Sequence, residues 1–319
     1  MYHARFFLFN GGHKCFACLS RIKRFVTNCL RARSPIHLTA SRPGVQFKGC
    51  SKLALRRILR TAPAMKVFVC LFVALKVAAQ TIYLAGDSTM AVGGGGSGTQ
   101  GWGVPFASFV NIPVVNDGVA GTSARSYSDQ GRFNTIVNLV RPGDFVIIEF
   151  GHNDAAANPD NGKQDAVGDG YNITSTVTAA NGTQILIHSF HFYIENAVNA
   201  IKAKGAIPII ASLTPDNIWT NATTPVIAAG GRFVTYAHTV SVDTSIVYVD
   251  HFSYVAQNYN KLGKSFVSAN YYTTADHLHT LPAGATNVAQ AFVRGLLCST
   301  STLKSHVNAA GQAAPNGCL

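Results

Sequence analysis

The chain has 319 residues, 47% of them hydrophobic, and a formal net charge of +12, which would ordinarily indicate an anionic partner such as nucleic acid. Residues 1–64 hold thirteen Lys and Arg and no Asp or Glu, so the rest of the chain sums to 12 − 13 = −1. The charge therefore belongs to the leader, and it gives no reason to expect nucleic-acid binding by the remaining residues.

Residues 65–79 begin with Met-Lys, continue with an apolar run and end in the small residues Val77-Ala78-Ala79. This layout is typical of a secretory signal peptide, and the run is shorter than the roughly 20 residues of a membrane span. We interpret 1–64 as an upstream translation, Met65 as the true start and 80–319 as the mature domain. An Arg-rich transit segment and a signal-anchor are the alternatives. We expect a secreted, extracellular protein that leaves the membrane after cleavage.

Apolar, β-branched runs alternate with helical patterns along the mature domain. The runs predict five strands, over 81–85, 113–116, 144–150, 206–212 and 246–250. Apolar residues at helical spacing predict a helix over 188–204, and a last helix follows Pro282 over about 283–297. Strands that alternate with helices indicate a parallel sheet covered on both faces, so we expect a single α/β domain.

Two segments look irregular. Residues 155–187 are polar and rich in Gly, Asn and Asp, which predicts a long loop with little regular structure. The glycine-rich run 93–98 lacks the GK[ST] ending of a phosphate-binding loop, so we interpret it as a surface loop.

Cysteines and sequons agree with export. Five of the seven cysteines precede residue 80, and only Cys298 and Cys318 remain in the mature chain. An even pair in an exported chain predicts a disulfide. Asn172, Asn181 and Asn221 each begin an Asn-x-Thr sequon and are expected to accept glycans outside the cell.

A nucleophile, a base and a carboxylate occur in a suggestive order. Ser88 closes the first predicted strand in Gly-Asp-Ser, while Asp276 and His279 lie three residues apart near the C-terminus. A serine becomes reactive when an imidazole takes its proton and a carboxylate orients that imidazole. His277 is the alternative base. A metal site at Asp276, His277 and His279 is a further alternative, although no other ligand motif accompanies them.

Two more residues complete the predicted site. Gly121 follows the second strand, and Asn153 follows the third. The glycine amide and the asparagine side chain are suited to donate hydrogen bonds to a developing oxyanion. In parallel sheets the reactive groups gather where the strands end, which would bring these residues towards Ser88. Turn and capping roles remain the alternatives for both.

These residues fall in four ordered blocks that resemble the GDSL, or SGNH, hydrolases: GDS at 86–88, Gly121, GHND at 151–154 and DxxH at 276–279. Longer segments around these blocks are similar to the fungal rhamnogalacturonan acetylesterases: YLAGDSTM at 83–90, GTSARSY at 121–127, EFGHND at 149–154, YVDH at 248–251 and DHLHTLPAGA at 276–285. The resemblance implies a flavodoxin-like three-layer α/β/α sandwich with a five-stranded parallel sheet.

The resemblance also implies a reaction: removal of acetyl groups from rhamnogalacturonan, in pectin, through an acetyl-enzyme. Ser88, Asp276 and His279 would be catalytic, and the oxyanion hole would be formed by Ser88, Gly121 and Asn153. We expect a monomer that needs no cofactor and no metal. The alternatives are the same mechanism on acetyl-xylan or a lipid, and a polysaccharide-binding protein without turnover.

Overall fold

The computed structural model describes residues 80–96, 98–221, 223 and 226–319. The interpretations of 1–64 as a leader and of 65–79 as a signal peptide lie outside these residues. The described part is built on a five-stranded sheet in the order β2-β1-β3-β6-β9, in which every neighbouring pair is parallel. Its strands are β1 (Ile82–Gly86), β2 (Val114–Asn116), β3 (Phe145–Glu149), β6 (Ile207–Ala211) and β9 (Val247–Val249).

Helices connect these strands and cover the sheet. They are α1 (Gly103–Phe106), α2 (Ala124–Asp129), α3 (Arg132–Leu139), α4 (Phe190–Ala203), α5 (Arg232–Thr244), α6 (His251–Leu262), α7 (Lys264–Asn270), α8 (Pro282–Cys298) and α9 (Ala309–Gln312). Short 3-10 helices span Ala107–Phe109, Pro159–Asn161 and Thr302–His306. The predicted strands and both predicted helices are confirmed, with ends that differ by one or two residues.

Each face of the sheet carries its own hydrophobic core. Side chains alternate along a strand, so Ile82 and Leu84 of β1 face one core, while Tyr83 and Ala85 face the other. Helices α6 and α8 supply much of the first core, and α3, α4 and α5 supply the second. The three-layer α/β/α sandwich is therefore confirmed.

The segment 155–187 is more regular than its composition predicts. It contains an antiparallel hairpin of β4 (Thr174–Thr178) and β5 (Gln184–His188). Gly182 has φ +84° in the turn, and the Ala179 amide donates to the Thr183 carbonyl. Asn-Gly between β-branched runs is a hairpin signal, and the polar composition around it obscured that signal. A second small hairpin pairs β7 (Trp219–Thr220) with β8 (Val226–Ile227).

A disulfide joins the C-terminal segment to α8. Cys298, the final residue of α8, is bonded to Cys318 with Cα atoms 5.6 Å apart. The three sequon asparagines, Asn172, Asn181 and Asn221, are exposed, so their surroundings leave room for a glycan. None of the described helices is both long and apolar enough to cross a membrane.

Candidate active site

The turn that carries Ser88 leaves the carboxyl end of β1 and is held by its neighbouring acid. Asp87 is buried, and its Oδ1 accepts hydrogen bonds from the Thr89 amide (2.9 Å) and the Thr89 hydroxyl (2.8 Å). Gly86 has no room for a side chain, because a Cβ would lie 2.9 Å from the Glu149 carbonyl oxygen. The sequence thus fixes the direction of the turn with an acid on one side and a glycine on the other.

Ser88, His279 and Asp276 form a continuous chain of hydrogen bonds. The Ser88 Oγ lies 2.9 Å from His279 Nε2, and His279 Nδ1 lies 2.8 Å from Asp276 Oδ2. The side chain of His279 is 19% exposed and that of Asp276 is 32% exposed, so the chain opens to solvent at this end. This is the geometry in which imidazole accepts a serine proton while a carboxylate holds its tautomer.

Asp276 also organises its own turn. Its Oδ1 accepts hydrogen bonds from the backbone amides of Leu278 and His279, both at 2.9 Å. Partial burial by itself raises the pKa of this carboxyl, but the hydrogen bonds from the two amides and from the imidazole outweigh it and lower the pKa below 3.8. Asp276 is therefore ionised at neutral pH. His277, which lies between Asp276 and His279 in the sequence, is exposed, and its carbonyl accepts a hydrogen bond from the Asn217 amide.

The glycine-rich run, which sequence reasoning left without a role, lies against the imidazole. A Cβ built on Gly95 would stand 2.4 Å from His279 Nδ1, closer than real side chains approach. The run is held by Thr99, whose Oγ1 accepts from the Gly95 amide at 2.9 Å and donates to the Gly96 carbonyl at 2.6 Å. The absence of a side chain at Gly95 lets this loop support one face of the His279 ring.

Gly121 and Asn153 lie in two loops that are hydrogen-bonded to each other. Gly121 has φ +75°, a conformation that favours glycine. The Asn153 side-chain amide donates to the Thr122 carbonyl at 3.1 Å. Since an amide carries two N–H groups, one remains for another acceptor. Both residues follow strands next to β1, as the topology requires, and their oxyanion role stays a prediction.

Two buried carboxyls, those of Asp154 and Asp165, lie beside these loops. Asp154 Oδ1 accepts from the Ala124 amide at 2.8 Å, which ties the loop after β3 to the start of α2. Burial raises the pKa of Asp154 to about 7. Burial and the neighbouring Asp154 raise the pKa of Asp165 well above 3.8. The pair thus retains a proton at a pH where exposed carboxyls are ionised, and nothing in the sequence pattern indicated it.

A second buried polar network lies at the end of β3. Glu149, 1% exposed, accepts from Trp102 Nε1 at 2.7 Å and lies 2.6 Å from His251 Nδ1. His251 Nε2 in turn donates to the Val288 carbonyl at 2.9 Å. Trp102 is fully buried. It is a core residue that fixes β3 to α8.

One group among the described residues brings metal-binding atoms together. His191, Glu195 and Asp243 place ligand atoms within 4.8 Å of one another. The His191 ring is fully buried, with Asp169 at 2.7 Å from Nε2 and Glu195 at 3.2 Å from Nδ1. These carboxylates already serve both ring nitrogens, and the group shares no residue with the Ser88 site.

Comparison with known proteins agrees with this geometry. Residues 82–292 match the family model for GDSL-like lipases and acylhydrolases. The rhamnogalacturonan acetylesterase of Emericella nidulans is 43% identical over 225 residues, which cover 69% of this chain and 86% of that protein. A probable rhamnogalacturonan acetylesterase of Bacillus subtilis, YesY, is 37% identical over 82 residues, which cover 25% of this chain and 38% of that protein.

Among solved structures, the Bacillus subtilis protein YxiM superposes with a TM-score of 0.56 at 20% identity, over 69% of this chain and 56% of that one. This likeness bears on the fold, which the sheet order already establishes. The family match covers the strands that carry the site as well as most of α8. The chain therefore belongs to the family of GDSL-like lipases and acylhydrolases, which are carboxylic ester hydrolases.

Proposed function

We propose that the protein is a secreted serine esterase that removes acetyl groups from rhamnogalacturonan through an acetyl-enzyme intermediate. The observation that carries the mechanism is the hydrogen-bonded chain from Ser88 through His279 to Asp276, at 2.9 and 2.8 Å. The observation that carries the substrate is the 43% identity to a rhamnogalacturonan acetylesterase across 86% of that protein.

In the first step, Ser88 Oγ attacks the acetyl carbonyl while His279 Nε2 takes the serine proton. Asp276 stabilises the imidazolium that forms, and its low pKa keeps it charged for this purpose. The Ser88 and Gly121 amides and the Asn153 side chain donate to the oxyanion. His279 then protonates the departing sugar oxygen, and the acetyl group remains on Ser88.

In the second step, His279 removes a proton from water as the water attacks the acetyl-enzyme. Collapse of the tetrahedral intermediate releases acetate, and the proton returns to Ser88. Because neither step changes an oxidation state and the residues supply both proton transfers, the reaction as proposed proceeds without a cofactor.

The decisive experiment is acetate release from a panel of acetylated polysaccharides, including rhamnogalacturonan and xylan. We expect release from rhamnogalacturonan, and Ser88→Ala should lose at least about 10⁴-fold in turnover, because no acyl-enzyme can form. The exposed Ser305, whose hydroxyl donates locally to the Thr302 carbonyl, provides a matched Ser→Ala control that should keep full activity.

The outcomes separate the alternatives. Faster release from acetyl-xylan would move the substrate assignment and leave the mechanism intact. Binding of acetylated pectin without acetate release would favour a polysaccharide-binding protein. Near-normal turnover by Ser88→Ala would refute the acyl-enzyme mechanism. Secretion is tested separately by N-terminal sequencing of the exported protein, whose first residue should lie at or near Gln80.

A further inference from the structure

Lys163 is a partly buried cation with no ion-pair partner among the described residues. Its side chain is neither fully exposed nor fully buried, and in the described part of the chain no carboxylate forms an ion pair with it. Partial burial removes water from a charge, and this cost is usually offset by an anion held nearby. The position of Lys163 indicates where that anion would lie.

The ammonium group stands over the predicted oxyanion loop. Lys163 Nζ is 3.4 Å from the point that a Cβ on Gly121 would occupy. Gly121 belongs to the loop after β2, which is hydrogen-bonded both to the carboxyl end of β1, through Val119 and Gly86, and to Asn153, through Thr122. The Lys163 ammonium group therefore lies beside the loop that links the end of β1 to Asn153 through hydrogen bonds.

The backbone that follows Lys163 is fixed by two hydrogen bonds. The next residue, Gln164, accepts a hydrogen bond at its carbonyl from Arg125 Nη1 at 3.1 Å. The Asp165 amide donates to the Asp154 carbonyl at 3.1 Å. These contacts attach the segment to α2 and to the loop after β3, so the lysine is presented from a defined position rather than from a free loop tip.

Two carboxylates of the site are engaged by other groups. The Asp276 carboxylate is hydrogen-bonded to His279, and the Asp87 carboxylate to Thr89. Neither is within ion-pair distance of Lys163. An anion that approaches this lysine must therefore come from outside the described residues, and a polysaccharide of galacturonic acid carries one carboxylate on each uronate residue.

We propose that Lys163 forms a subsite for a uronate carboxylate of the substrate, placed so that the acetyl ester of the same or an adjacent sugar reaches Ser88. This inference rests on the proposed function and adds the group that distinguishes an acidic polysaccharide from a neutral one. A charge-assisted hydrogen bond of this kind contributes roughly 10- to 100-fold to kcat/KM.

The test compares two forms of one polymer and one small ester. Lys163→Gln and Lys163→Arg are assayed on acetylated rhamnogalacturonan, on the same polymer with its uronate carboxyls methyl-esterified, and on 4-nitrophenyl acetate. Lys204→Gln is the matched control, because Lys204 is exposed before the amino end of β6, whereas Ser88 follows the carboxyl end of β1.

We expect Lys163→Gln to lose roughly 10- to 100-fold in kcat/KM on the charged polymer, mainly through KM, and little on the esterified polymer or the aryl ester. Lys163→Arg should recover part of the loss, and Lys204→Gln should match the wild type. Equal losses on the charged and esterified polymers would overturn the subsite. So would a fall in kcat on the aryl ester, since Lys163 would then act on the reacting carbonyl.

Failure of the proposed function has a different signature. A wild-type enzyme that hydrolyses 4-nitrophenyl acetate but releases no acetate from rhamnogalacturonan would refute the substrate assignment, and the subsite with it. A wild-type enzyme that is active on rhamnogalacturonan, with Lys163→Gln equally active, would refute the subsite alone.

Discussion

Asp154→Asn should flatten the dependence of stability on pH. Asp154 is fully buried, and burial raises its pKa from 3.8 to about 7. The native state therefore keeps a proton that the unfolded chain releases above about pH 4. A raised carboxyl pKa stabilises the native state fully below the unfolded pKa, and this stabilisation is lost as the pH rises through about 7. The shift of roughly 3 units corresponds to about 4 kcal/mol.

The asparagine preserves the geometry while removing the titration. Its carbonyl can accept from the Ala124 amide as Asp154 does. Urea unfolding with the disulfide intact should therefore show that the variant gains on the wild type by about 4 kcal/mol between pH 4 and pH 8.5. Asp160→Asn, at an exposed carboxylate that accepts from the Ala180 amide, is the control. Parallel curves for Asp154→Asn and the wild type would contradict a proton held at this site.

Three further predictions concern the site and the C-terminus. His279→Ala should lose about 10⁴-fold or more in turnover while His277→Ala loses little, whereas similar losses and inhibition by chelators would indicate metal-assisted hydrolysis. Gly95→Ala should lower kcat by up to about 10²-fold with KM little changed, because its Cβ would stand 2.4 Å from the His279 ring and displace it; unchanged kcat would show that the loop yields instead. Replacing Cys298 and Cys318 by Ser should cost roughly 3 kcal/mol in unfolding experiments, given a loop of about 20 residues; free thiols in the unreduced protein would contradict the bond.

The parts that sequence predicted best are those in which one physical preference dominates. The five sheet strands are short apolar runs, and both faces of the sheet are covered, so burial and β-propensity favour the same assignment. Ser88, Gly121 and Asn153 follow β1, β2 and β3. These strands are neighbours in the parallel sheet, so the three residues lie at the same end of it. Their motif blocks supplied the same residues independently, which is why the Ser88, His279 and Asp276 arrangement could be anticipated.

The parts that sequence missed depend on contacts between distant residues. Asp154 and Asp165 form a pair only because an irregular segment returns to the loop after β3. Gly95 contacts His279, which lies more than 180 residues later in the chain. Composition alone shows only that the segment around Gly95 is rich in glycine. The hairpin at β4 and β5 was hidden because its strands are mostly exposed, so no alternation of buried and exposed residues marks them clearly.

Three buried acids within the motif blocks share a structural role and take no part in the proposed reaction. Asp87 holds the Ser88 turn, Glu149 fixes the end of β3, and Asp154 ties the Asn153 loop to α2. Burying a carboxyl costs free energy that an apolar side chain would not. The positions are nevertheless coherent, because an apolar side chain cannot accept the backbone and indole N–H groups that define these loops. Reactive groups must be held within about 0.5 Å to act together. The stability given up at these acids is thus the cost of a preorganised site, and it explains why removing the charge at Asp154 should stabilise the protein above neutral pH.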